Sequence, residues 1–371
     1  MNRAIAGVAV VGVVCLALGC DEDKKTTEPA SSAAAALPTE SAPPAPVEPK
    51  ATPAEAIAKT MKADVAAWNA HDAAAVAACY EPQGKLVISG MPEFRDRQAV
   101  MAEAKANFTA FPDFKVAVTH SYVHGNTVAI EWVVTGKNDG PDMGQPATGR
   151  TMGILGASVS TFDDDGLIKE EHRYFDLPTL RSQLDAKAKA GTFRPPVALP
   201  TAATEEHVSK GTPDEAKTLD VAKAFYAAWG ANKPADFAAF LTDATLMEDA
   251  GDPKAKNGVK PAVDTLGSMF KAFPDTTMSE PVLFATGDVV VAVVDVAGTN
   301  KGPLMGMKPT NKHVESRFLD VTVWKDGKLA HEMSYANSAD MLVQLGVMPP
   351  IGAAPAASAS AAPPAPSAKA K

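Results

Sequence analysis

The chain repeats itself. Phe111-Pro112-Asp113 returns as Phe273-Pro274-Asp275, and Gly140-Pro141-Asp142-Met143-Gly144 as Gly302-Pro303-Leu304-Met305-Gly306, both 162 residues later. Asp165-Gly166 returns as Asp326-Gly327, Gln183-Leu184 as Gln344-Leu345 and Trp68 as Trp229, each 161 residues on. Matches spread this widely, in one order and nearly one register, mark a duplicated domain. The period is far too long for a stacked solenoid repeat. The fold must therefore be one that less than half of the 371 residues can complete, built twice.

Local signals place the two copies at 52–187 and 212–348. Each opens with a capping box, Thr52-Pro53-Ala54-Glu55 and Thr212-Pro213-Asp214-Glu215. The Thr can cap, the Pro suits the first helical position and the Glu can bond back to the cap. Ala222, Phe225, Tyr226 and Trp229 follow the spacing of one buried helix face, and their counterparts are Ile57, Met61, Val65 and Trp68. Further helices are expected over Ala73–Cys79 and Ala99–Phe111, and over Asp236–Leu241 and Ala262–Phe273. Strands follow at Val116–Val118, Thr127–Thr135, Gly153–Phe162 and Ile168–Phe175, mirrored at Val282–Leu283, Val289–Ala297, His313–Lys325 and Leu329–Tyr335. Helices first and antiparallel strands after predict an α+β domain, with helices laid on one face of a curved sheet.

What flanks the copies is of another character. Residues 21–51 and 349–371 are rich in Pro, Ala and Ser and lack the apolar bulk to offset ordering entropy, so they read as a disordered tether and tail. Residues 188–211, with Pro195, Pro196 and Pro200, read as a linker. Arg3 followed by the apolar stretch Ile5–Leu18 reads as a secretory signal over 1–20, too short to span a membrane comfortably. Its end, Leu16-Ala17-Leu18-Gly19-Cys20, resembles a bacterial lipoprotein signal, although Ala17 stands where that family usually has Leu. The resemblance implies acylation of Cys20 and a lipid-anchored place in the bacterial cell envelope, facing the periplasm or the exterior. An ordinary cleaved signal with an incidental cysteine is the other reading. Of three cysteines only Cys79 then remains in the folded part, so no disulfide forms within one mature chain and Cys79 reads as a core residue. A net charge of −9 with no run of Lys and Arg opposes phosphate binding and argues against a nucleic-acid partner.

With the duplicated elements in place, the chain resembles the nuclear transport factor 2-like superfamily, and within it the SnoaL-like polyketide and ester cyclases. The likeness is carried by Trp68-Asn69-Ala70-His71-Asp72, by Phe111-Pro112-Asp113, and by Asp165-Gly166-Leu167-Ile168 leading into Glu171-His172-Arg173-Tyr174-Phe175-Asp176. The second copy reads Asp326-Gly327-Lys328-Leu329 and Glu332-Met333-Ser334-Tyr335-Ala336-Asn337. The resemblance implies two cone-shaped domains, each a curved sheet around an apolar cavity, paired with each other within one chain.

Side chains alternate across a strand, so His172, Tyr174 and Asp176 share one face and Glu171, Arg173 and Phe175 the other. If the first set lines the cavity, it brings together an imidazole, a phenol and a carboxylate able to move a proton next to a carbonyl. The resemblance implies Asp176 as the acid or base; a helix cap before Pro178 is an equal alternative for it. In the second copy Met333 and Asn337 replace His172 and Asp176, so acid/base chemistry there is not expected. His313, Glu315 and Arg317 read as a charge ladder on one strand face. Trp68, Trp229, Tyr335 and Asn337 are the candidate ligand-contacting residues. No metal or cofactor motif is present. Three readings follow: two cups for a small hydrophobic molecule, a cyclase or isomerase working through Asp176 with His172 and Tyr174, or a protein-interaction module.

Overall fold

A computed structural model describes residues 52–350. The signal, Cys20, the tether and all but the first two residues of the tail lie outside them. In the first domain helices α1 (Pro53–Ala70) and α2 (Ala73–Ala78) lead into strands β1 (Tyr80–Ile88) and β2 (Phe94–Arg95), then helix α3 (Arg97–Ala110). Strands β3 (Lys115–His124), β4 (Thr127–Lys137), β5 (Thr151–Phe162) and β6 (Ile168–Phe175) and helix α4 (Leu177–Leu184) complete it. Strand β7 (Glu205–Val208) follows, inside the segment expected to be a plain linker.

The second domain repeats the order: α5 (Pro213–Gly230), α6 (Pro234–Ala238), β8 (Leu246–Asp249), β9 (Lys256–Asn257), α7 (Val259–Ala272), β10 (Thr277–Met278), β11 (Val282–Thr286), β12 (Val289–Thr299), β13 (His313–Lys325), β14 (Lys328–Tyr335) and α8 (Ser338–Gln344). Both capping boxes form as the sequence predicts.

The first sheet runs β2-β1-β6-β5-β4-β3-β7. It is mixed rather than antiparallel throughout, because β1 joins β6 in parallel and β7 joins β3 in parallel. Strand β1 escapes a reading by alternation since Pro82 and Gly84 interrupt it, and its register shifts between Tyr80 and Lys85. The second sheet has the same core, with β8 parallel to β14. A bulge between Val118 and His120 reverses the facing of β3, turning Tyr122 away from the side that Val116 and Val118 serve. In the second domain the same place is an outright break between β10 and β11, at Pro281.

The duplicated motifs are fasteners. Asp113 and Asp275 accept the backbone N–H groups of Lys137 and Thr299 at 2.6 and 2.7 Å. Buried Asn138 and Asn300 donate to the carbonyls of Gly140 and Gly302 at 2.8 and 2.9 Å. A Cβ on either glycine would lie 2.0 Å from a helix carbonyl, that of Thr109 or Lys271, so only glycine fits.

The two sheets bury one face against each other. Tyr122, Ala129, Ala157 and Tyr174 of the first domain share a cluster with Phe284, Val291, Leu319, Val321, Met333 and Tyr335 of the second. At its centre Glu131 accepts the hydroxyls of Tyr122 at 2.8 Å and Tyr335 at 2.6 Å, with His120 Nδ1 at 3.0 Å. Burial works to raise this carboxyl, but those hydrogen bonds outweigh it and hold it below the usual range. The pairing is nearly two-fold symmetric. Asp176 accepts from Ser338 N–H at 3.0 Å, while Asn337 accepts from Leu177 N–H at 3.2 Å. On the rim of this face Arg317 makes a two-pronged pair with Asp295, at 2.7 and 2.8 Å.

Candidate functional site

The other face of the first sheet is concave toward α1 and α3 and encloses a chamber of about 360 Å³. Its apolar wall includes Trp68, Phe94, Phe114, Trp132, Met152 and Phe175. Trp132 reaches across the sheet only because its cross-strand neighbour is Gly156; a Cβ there would stand 2.1 Å from the indole ring.

One side of the chamber is charged. Strand alternation points Glu171 and Arg173 inward, and α1 and α3 bring Asp64 and Glu103 to meet them. Glu171 receives the Tyr80 hydroxyl, the Ser158 hydroxyl at 2.8 Å and Arg173 Nε at 3.0 Å. Arg173 also reaches Glu103 Oε1 at 3.3 Å, and its guanidinium carbon sits 5.1 Å from the centre of the Trp68 ring. Asn107 donates to Glu103 Oε1 at 2.7 Å. Two carboxylate oxygens, Asp64 Oδ1 and Glu103 Oε2, are out of solvent and have no hydrogen-bond partner among the described residues.

The charges set the protonation states. Burial, then the Glu171 charge, push Asp64 up to about 7. Burial also raises Glu103 against the pull of Arg173. For Glu171 burial is outweighed by Arg173 and the converging hydroxyls, and its carboxyl lies below the usual range. The chamber thus holds an ionised Glu171–Arg173 pair beside an aspartate poised between its two forms near neutral pH.

The residues expected to carry the chemistry lie elsewhere. His172, Tyr174 and Asp176 are on the opposite face of β6 from the chamber. Tyr174 is buried between the domains. His172 pairs with Glu170 at 2.8 Å. Asp176 caps α4 through Thr179 N–H at 2.9 Å and crosses to Ser338, which is the alternative its sequence context offered. Tyr335 is spent on Glu131 and Asn337 caps α8, and neither lines the chamber. Trp68 does line the chamber. Trp229 packs against Phe270 and Phe318 inside the second domain.

The second interior is built from different side chains. Four residues before the shared tryptophan, Asp64 is replaced by Phe225, whose ring packs 5.1 Å from Phe237 and 5.5 Å from Trp324. Arg173 is replaced by Ser334, and Ser158 by Asp320, as the matching strand registers show. Glu332 keeps the place of Glu171 but has lost its cation. Burial holds both Glu332 and Asp320 up, helped by the Asp320 charge for Glu332 and by the Asp249 charge for Asp320, which stands at about 6. Trp132 opposite Gly156 becomes Val294 opposite Phe318, so large and small exchange strands.

A comparison with known families matches residues 62–171 to the SnoaL-like domain and residues 219–345 to the SnoaL-like polyketide cyclases. The chain carries two SnoaL-like domains in tandem. Among solved structures, AclR from Streptomyces galilaeus is 22% identical, over 36% of this chain and 99% of that one, with a TM-score of 0.34. TsrD from Streptomyces laurentii is 19% identical, over 37% and 100%, with a TM-score of 0.34. A protein of ketosteroid isomerase-like fold from Catenulispora acidiphila is 18% identical, over 35% and 92%, with a TM-score of 0.30. Each spans one SnoaL-like domain's length of this chain. No curated protein is significantly similar in sequence.

Glu171 and Arg173 were within reach of sequence reasoning. Glu171 is the one acid of its strand kept in both copies, as Glu332, and Met333 and Tyr335 mark the alternate face as the apolar one. Asp64 and Glu103 left no such trace, since the second copy has Phe225 and Thr265 in their places.

Proposed function

We propose that the first SnoaL-like domain binds a small apolar molecule in its chamber, with the second domain as its structural partner, on a protein held at the bacterial cell envelope through lipid on Cys20. The observation that carries the binding reading is the chamber itself: about 360 Å³, walled by aromatic and Met side chains, with polar groups converging on one side. Trp68 and Trp132 line it, so their fluorescence reports occupancy. Titration with a panel of apolar aromatic ketones, hydrocarbons and amines tests the reading, and no quenching or thermal shift with any of them would refute it. The anchor is tested by labelling with radioactive palmitate, which Cys20→Ser must abolish.

Acid/base carbon chemistry is the second reading, and Asp64 is the residue that favours it. A carboxyl at about 7, in the chamber wall, is matched to taking up and returning a proton near neutral pH. Asp64, and not Asp176 in the inter-domain seam, is the carboxyl placed for that role. Exchange of the α-protons of phenylcyclohexanone in D₂O, followed by NMR, measures it directly. Catalysed exchange lost in Asp64→Asn supports the reading; exchange no faster than in buffer removes it.

A further inference from the structure

We infer that the chamber's ligand is an apolar amine, held as its ammonium between Asp64 and Glu103. The inference rests on the reading of the chamber as a ligand site and names what that site selects. Four carboxyl residues border the space. Asp142 is paired with Arg181 at 3.0 Å, outside the lining, whereas Asp64, Glu103 and Glu171 share the single lining cation, Arg173. Arg173 is committed, two-pronged to Glu171 at 3.0 and 3.3 Å and single-pronged to Glu103 at 3.3 Å. The hydroxyls of Tyr80 and Ser158 are spent on Glu171 as well.

What is left over is acceptor capacity. Glu103 is nine-tenths buried, with a side-chain exposure of 10%, and its Oε2 has no partner among the described residues. Asp64 is half-buried, and its Oδ1 is likewise out of solvent without a hydrogen-bond partner among the described residues. A buried oxygen without a donor is costly, and a charged donor satisfies it best. An incoming carboxylate would meet surplus negative charge, and a neutral hydrocarbon would leave both oxygens unpartnered. An ammonium with at least two N–H groups has donors for both oxygens and offsets the surplus charge, and the wall of Trp68, Phe114 and Met152 suits an apolar body. The second domain shows the contrast: with Phe225 at the position of Asp64 and Thr265 at that of Glu103, it offers no such pair.

The test compares three probes of one shape with the full chain: phenylbutylamine, pentylbenzene (a methyl group in place of the ammonium) and phenylpentanoate. Calorimetry or Trp fluorescence at physiological ionic strength gives each affinity. The expected order is amine, hydrocarbon, carboxylate, with the amine at least about tenfold tighter than the hydrocarbon. The amine-to-hydrocarbon ratio should collapse toward unity in the Asp64→Asn, Glu103→Gln double variant. Pentylbenzene binding as tightly as the amine, or the carboxylate binding best, overturns the ligand class and leaves the chamber reading standing. Binding of none of the three, together with none of the apolar panel, removes both.

Discussion

Replacing Asp176 with Ala should unfasten the two domains where α4 and α8 meet. Its carboxylate is 5% exposed and receives Thr179 N–H at 2.9 Å and Thr179 Oγ1 at 2.6 Å on one oxygen. On the other it receives the Ser338 N–H at 3.0 Å, and the Ser338 hydroxyl as well. Loss of the cap on α4 costs about 1 kcal/mol. Leaving the Ser338 N–H and hydroxyl without an acceptor in a buried seam costs about 1–3 kcal/mol more. The sum, about 2–4 kcal/mol, is large for a residue outside the chamber. Asp176→Asn keeps one acceptor oxygen but turns a donor amide toward another donor, and should cost roughly half as much. Guanidinium denaturation followed by Trp fluorescence reads the loss, and chamber occupancy by an apolar probe should be unchanged below the transition. Stability within about 0.5 kcal/mol of wild type in Asp176→Ala, or ligand binding lost in a fully folded Asp176→Asn, would refute the assignment of this residue to the seam.

Three other substitutions probe the interior. Arg173→Met strands Glu171 and Glu103 without their cation and should cost about 3–5 kcal/mol by the same denaturation assay. Gly156→Ala drives a methyl group into Trp132, which must swing into the chamber; the expectation is a loss of about 1–3 kcal/mol and weakened uptake of every apolar probe, measured by titration. Asp320→Asn should stabilise the second domain, because a folded-state carboxyl held at about 6, against an ordinary value of 3.8, binds more protons folded than unfolded between those values. The wild type therefore loses stability as pH rises through that window, and the advantage of the Asn variant should be small near pH 4 and full above about pH 6. Denaturation curves at both pH values check the sign.

The duplication made the architecture readable and the site hard to see, for one reason. Phe-Pro-Asp and Gly-Pro-x-Met-Gly recur because Asp113 and Asp275 cap strand ends and Gly140 and Gly302 pass against helix carbonyls, tasks both domains must perform. Helix α1, helix α5 and strand β6 could be placed from capping boxes and alternation alone. Most of the chamber's charged residues differ between the copies, Asp64 against Phe225, Glu103 against Thr265 and Arg173 against Ser334, so comparing the copies hides them. Alternation gave the two faces of β6 correctly but not which one turns inward. That depends on helices α1 and α3 covering one face and a second sheet covering the other, a tertiary fact with no local signal. Strand β7 was invisible for a similar reason: it is short, and only the exposed edge of β3 gives it a partner.

Because both halves of the seam lie on one polypeptide, dilution cannot separate them, and assembly is a first-order step set by the connecting segment. In a dimer of identical chains every change would appear on both sides of the axis at once. Here Asp176 faces one way and Asn337 the other, and each can drift alone. That freedom lets one half fill its interior with Phe225, Phe237 and Trp324 while the other keeps an open, acidic hollow.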